Sequence, residues 1–131
     1  MLLPIVGKVQ ISKDEIKALA SSEGYVGAIS EKVASILSPQ LRVFKVIRSK
    51  VAFTDVASYG YFVFLDEDGR VYLSSPDGTV SKSFIIDEQF ALKVHIGPYG
   101  IVACKNECGS FSLAGNLNWR TKVWIRKRRD W

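Results

Sequence analysis

Four short β-type runs, separated by tight-turn signals, fill residues 51–84 and constrain the fold more than any other stretch. The segment reads V-A-F-T-D-V-A, S-Y-G-Y-F-V-F-L, D-E-D-G, R-V-Y-L, S-S-P-D-G and T-V-S-K-S-F. Valine, tyrosine, phenylalanine and threonine fill the runs, because branched and aromatic side chains suit a pleated, half-buried surface. Asp68-Gly69 and Asp77-Gly78 punctuate them, since glycine, and aspartate to a lesser degree, tolerates the positive φ of tight hairpin turns. The pattern predicts a four-stranded antiparallel meander. It holds no obvious catalytic chemistry.

The same pattern recurs on either side. Downstream, A-L-K-V-H-I-G leads into P-Y-G-I-V-A-C-K, N-E-C-G, S-F-S-L and L-N-W-R-T-K-V-W; upstream, G-Y-V-G-A-I-S, E-K-V-A-S-I-L, S-P-Q and L-R-V-F-K-V follow one another. Tyr59-Gly60 and Tyr99-Gly100 are 40 residues apart, as are Gly69 and Gly109; Ser38-Pro39 and Ser75-Pro76 are 37 apart, as are Val43 and Val80. Three copies with a period of 36 to 40 residues predict an all-β fold of three consecutive four-stranded antiparallel meanders. The copies span about 16–47, 51–86 and 91–124, within one domain (1–125) that a basic C-terminal tail (126–131) follows. Hairpin turns are expected at Asp68-Gly69 and at residues 107–109.

The first copy is ambiguous when taken alone. Lys17, Ala18, Leu19 and Ala20 have good helix propensity, with Ser12 and Glu15 placed to form a capping box. Residues 31–37 also read as helical turns with Val33, Ile36 and Leu37 on one face. Alignment with the second copy makes both stretches strands. Near the N-terminus, Val9 and Ile11 alternate with Lys8, Gln10 and Ser12, the pattern of an edge strand.

Charge is concentrated at one end. Arg120, Lys122, Arg126, Lys127, Arg128 and Arg129 are six of the 18 basic residues, and Asp130 is the only acid in the last twelve positions. Removing residues 120–131 leaves 12 bases and 12 acids, so the body is neutral and the net +5 belongs to the C-terminus. Those six residues are the candidate nucleic-acid contacts, because a basic tail binds phosphates without sequence preference. No apolar run approaches the roughly 18 residues of a membrane span, so no membrane association is expected and the chain reads as cytoplasmic.

Little else points to chemistry. Phosphate-loop, dinucleotide, nucleophile-elbow and zinc-protease motifs are all missing. Cys104 and Cys108 make a poor zinc site with His95 as the only histidine; they read as two small, partly buried thiols, with a labile disulfide as the alternative. Asp66, Glu67 and Asp68 read as a solvated hairpin tip. Asp55 and His95 stand in the first runs of their copies, each five residues before a glycine, and are the candidate channel-facing pair. Trp119 and Trp124 fall on opposite faces if the last strand alternates strictly.

Strand spacing and turn placement in residues 16–124 resemble β-propeller blades, in particular the WD-repeat and pyrroloquinoline-quinone-type repeats. The segment A-G-N-L-N-W, ending at Trp119, is similar to the final-strand tryptophan of the quinone type. The W-D and G-H dipeptides of WD repeats are missing, and no cofactor ligands carry over. The resemblance implies a partial propeller, completed by a second chain or a partner, and a non-enzymatic protein-interaction or scaffold module. A nucleic-acid-associated protein using the basic tail and an enzyme subunit with channel-lining residues are the alternatives.

Overall fold

The computed structural model describes residues 14–122. Its twelve strands form three separate four-stranded antiparallel sheets, each an up-and-down meander in chain order. Blade 1 comprises β1 (Ala18–Ser22), β2 (Tyr25–Ile29), β3 (Val33–Leu37) and β4 (Val43–Arg48). Blade 2 comprises β5 (Phe53–Ser58), β6 (Phe62–Asp66), β7 (Arg70–Ser74) and β8 (Ser81–Ile85). Blade 3 comprises β9 (Lys93–Gly97), β10 (Gly100–Cys104), β11 (Glu107–Phe111) and β12 (Leu117–Lys122). Both stretches of the first copy with helical character are strands, because burial on a sheet outweighs a few tenths of a kcal/mol of helix propensity per residue.

One turn is repeated in all three blades between the third and fourth strands. The backbone N–H groups of Leu41, Gly78 and Gly115 donate to the carbonyls of Ser38, Ser75 and Ser112. The three donors all have positive φ, at 61°, 76° and 92°. The serine hydroxyls then accept from Arg42, Val80 and Asn116 N–H, closing each turn from the side chain. Both sets of positions recur every 37 residues, the most regular spacing in the chain.

The hairpin between β10 and β11 departs from expectation. Gly109 lies within β11, paired with Ala103 and Arg120, and the turn falls at Lys105 and Asn106. The equal spacing of Gly69 and Gly109 is therefore no structural equivalence. Gly69 closes a loop one residue longer, and only it has positive φ.

Alternation along the strands sends two apolar faces out of blade 2. Val56, Phe62 and Phe64 meet Ile29, Ala34 and Ile36 of blade 1, with Phe53 also in this core. Val63, Leu65, Val71 and Leu73 meet Val94, Ile96, Ile101, Ala103 and Phe111 of blade 3. The first strands β1, β5 and β9 lie side by side. The core is thus two seams between stacked blades.

Candidate functional site

The far face of blade 3 carries the most unusual chemistry. Register aligns His95, Val102, Ser110 and Trp119 in one row across all four strands, with Lys93, Cys104, Cys108 and Thr121 in the next. Among the described residues no further sheet packs here. His95 and Lys93 are exposed, and Trp119 is 50% exposed. Beside His95, a cleft of about 130 Å³ runs to Tyr99, Val102 and Ser110.

Cys104 and Cys108 form a disulfide, contrary to the expectation of two free thiols. The reason is register. Cys108 belongs to β11, not to a turn, and sits directly opposite Cys104 with the Cα atoms 4.1 Å apart. By strand position the pair occupies the place that Leu65 and Val71 hold in blade 2, where they pack on the next blade. The cystine therefore staples an open face that lacks such packing. Closing so short a loop is worth about 2 kcal/mol on the chain-entropy estimate. Reduction with dithiothreitol is expected to lower the unfolding free energy by that amount, read as a lower urea midpoint. Cys104→Ser/Cys108→Ser should match the reduced chain, and an unchanged midpoint would contradict the stapling role.

Asp55 and His95 are not structural counterparts. Asp55 pairs with Leu65 and His95 with Val102, and the hairpins differ, with three residues (59–61) between β5 and β6 but two (98–99) between β9 and β10. The position matching His95 is Ala57, opposite Val63. The Asp55 carboxylate accepts the Val94 backbone N–H at 2.9 Å, tying the inner strands of blades 2 and 3 together. His95 faces solvent.

A second concave site lies at the seam of blades 1 and 2, a cavity of about 370 Å³. Its walls come from the β4–β5 linker, the β6–β7 hairpin and the end of β8, and include Arg48, Lys50, Arg70, Asp66, Tyr72 and Ile85. Asp66 is buried, not part of a solvated tip. Its carboxylate accepts from the Ser49 hydroxyl at 2.9 Å and from the Asp68 and Arg70 backbone N–H groups at 3.0 Å each. Burial, followed by the Asp66 charge, raises the Tyr72 hydroxyl pKa above its ordinary value, so the phenol stays protonated at neutral pH. Residue types alone did not reveal this site, whose members come from separate strands; the only hint was the D-E-D-G hairpin.

Among the proposed nucleic-acid contacts, Arg120 lies on the blade 2 side of β12. It donates to Glu107 at 2.6 and 3.0 Å, approaches Asp87 at 3.6 Å and covers the Phe90 ring at 4.9 Å. The Glu107 hydrogen bond is the main cause that raises its pKa. Lys122 ends β12. Arg126, Lys127, Arg128 and Arg129 lie outside the described residues, as do Trp124 and the predicted N-terminal edge strand. No group of His, Cys, Asp and Glu side chains among the described residues is arranged to hold a metal ion.

Meanders stacked face to face with their first strands adjacent define the class of architecture: these are β-propeller blades. Solved structures agree. BamB from Moraxella catarrhalis superposes with a TM-score of 0.67 at 9% identity, covering 85% of this chain and 36% of that one. BBS1N, solved in complex with ARL6DN, gives 0.65 at 13% identity, over 88% of this chain and 43% of that one. A protein of unknown function from Bacteroides caccae gives 0.60 at 12% identity, over 86% and 47%. At such identities the likeness is one of fold, and the chain spans less than half the length of these proteins. It is a partial propeller of three blades. No protein-family model and no curated protein matches it.

Proposed function

We propose that this chain is a non-enzymatic protein-interaction scaffold whose third blade packs against a second copy of itself. The observation that carries the reading is the far face of blade 3, where His95, Val102, Ser110 and Trp119 occupy a sheet face of the kind that packs blade to blade elsewhere in the molecule. A half-exposed tryptophan on an open sheet face favours association. The counterpart is the exposed apolar rim of blade 1, where Leu19, Val43 and Val46 lie on the side away from blade 2. Two copies supply six blades, within the range of about four to eight that closes a propeller. Partner binding also fits BBS1N, a propeller solved with a bound protein.

Sedimentation of the native chain is expected to show a dimer. Trp119→Glu, which puts a charge on the proposed contact, should sediment as a monomer with unchanged circular dichroism. A native chain that stays monomeric at high micromolar concentration would remove the self-association reading. The basic segment 126–129 has no part in this proposal.

A further inference from the structure

The two blade seams end differently on the side of the β6–β7 and β10–β11 hairpins. Between blades 2 and 3 the linker has seven residues, 86–92, and folds into a short 3-10 turn, Glu88–Phe90. Phe90 is buried at 1% exposure and plugs the seam. Asn106 of the adjoining hairpin holds this turn, its N–H donating to the Gln89 carbonyl at 3.0 Å and its side-chain amide to the Gln89 side chain at 2.7 Å. The cation at this seam, Arg120, finds two carboxylates of its own chain, Glu107 and Asp87.

Between blades 1 and 2 the linker has only four residues, 49–52. It is too short to form the plugging turn, and the cavity of about 370 Å³ remains. Arg48, Lys50 and Arg70 line it, and none of them forms an ion pair among the described residues. The cavity's two acids do not neutralise them. Asp66 is buried and committed to Ser49 and the hairpin backbone, and Asp68 stands exposed on the rim. Three cations against two carboxylates leave an excess of one positive charge. Val51 and Ile85 add an apolar wall, and Ile85 is 64% exposed.

We propose that this open seam binds an acidic, partly apolar segment of a partner protein. A carboxylate of the segment sits among Arg48, Lys50 and Arg70, and a neighbouring apolar side chain packs on Val51 and Ile85. The partner thus supplies at this seam what Glu107, Asp87 and Phe90 supply at the other. The apolar wall favours a peptide over a small free anion, which would leave Ile85 in water. Guanidinium groups suit the carboxylate because their forked donors engage both oxygens. The assignment rests on the reading of the chain as a partner-binding scaffold but not on its self-association.

The test is fluorescence polarisation of a labelled peptide of alternating glutamate and leucine, with a lysine–leucine peptide as control. The full chain is expected to bind the acidic peptide more weakly as salt rises and to ignore the basic one. Arg48→Glu/Arg70→Glu should weaken binding by about tenfold or more with circular dichroism unchanged. Ile85→Ser should weaken it less, and inorganic phosphate should not displace it. Equal binding of both peptides, or full affinity in the double variant, would overturn the site. Displacement by millimolar phosphate would make it a small-anion site and overturn the peptide assignment. A chain that dimerises without binding the peptide loses this site and keeps the scaffold. A monomeric chain that binds the peptide keeps the site and loses the self-association.

Discussion

Phe62→Ala is expected to cost about 3 to 5 kcal/mol, a large part of the roughly 5 to 15 kcal/mol that holds a domain folded. Phe62 is fully buried in the seam of blades 1 and 2 and stacks on Phe64 with ring centroids 6.1 Å apart. It also lies across Gly27 of β2: a Cβ built on that glycine would stand 2.7 Å from the Phe62 ring. The ring therefore takes the volume that a side chain on β2 would otherwise fill. Truncation leaves a cavity between two sheets that cannot collapse without breaking their strand pairing. Gly27→Ala gives the complementary result. In the native chain the added methyl overpacks the seam, at a cost of about 1 to 3 kcal/mol; in the Phe62→Ala background it enters the void and costs less. Urea unfolding of the four proteins makes a double-mutant cycle. Equal effects of Gly27→Ala in the two backgrounds would refute the contact.

Gly69→Ala is expected to cost about 3 kcal/mol or more, because two penalties coincide at one atom. Gly69 has φ +89°, a region costly to residues with a Cβ, and the added Cβ would collide with the backbone carbonyl oxygen of Ile86. That carbonyl has little freedom to retreat, since the Ile86 N–H donates to the Gly69 carbonyl at 2.8 Å. Gly60 is the control. It has φ +72° but no atom within 4 Å of its would-be Cβ. Gly60→Ala should therefore carry only the conformational term, about 1 to 2 kcal/mol. The difference between the two midpoints in equilibrium unfolding isolates the collision. Equal losses would show that the Ile86 contact relaxes at no cost.

The turn chemistry was the most legible part of the fold. Ser38-Pro39 and Ser75-Pro76 stand 37 residues apart, and Ser112 with Gly115 continues the spacing without a proline. The proline is dispensable because the serine hydroxyl and the positive-φ residue make the turn. The glycine at position 109 misled for the converse reason. Its spacing from Gly69 imitates a repeat, yet it is small because Phe111 and Phe90 crowd its face of β11, where a Cβ would stand 2.9 Å from each ring. A glycine kept for close approach and one kept for positive φ look the same in one dimension.

By itself the sequence determined that the chain is all-β, that it folds in three copies and that each copy is a meander. Those properties depend on neighbours a few residues apart, through alternation, branched side chains and turn residues. Only the tertiary structure decided which faces meet. The Cys104–Cys108 bond depends on cross-strand register. The inequivalence of Asp55 and His95 depends on cross-strand pairing in two hairpins whose loops differ by one residue. The open seam of Arg48, Lys50 and Arg70 depends on a linker three residues shorter than the one that carries Phe90 into the other seam. Each is set by how sheets stack, and stacking joins residues that share no local pattern.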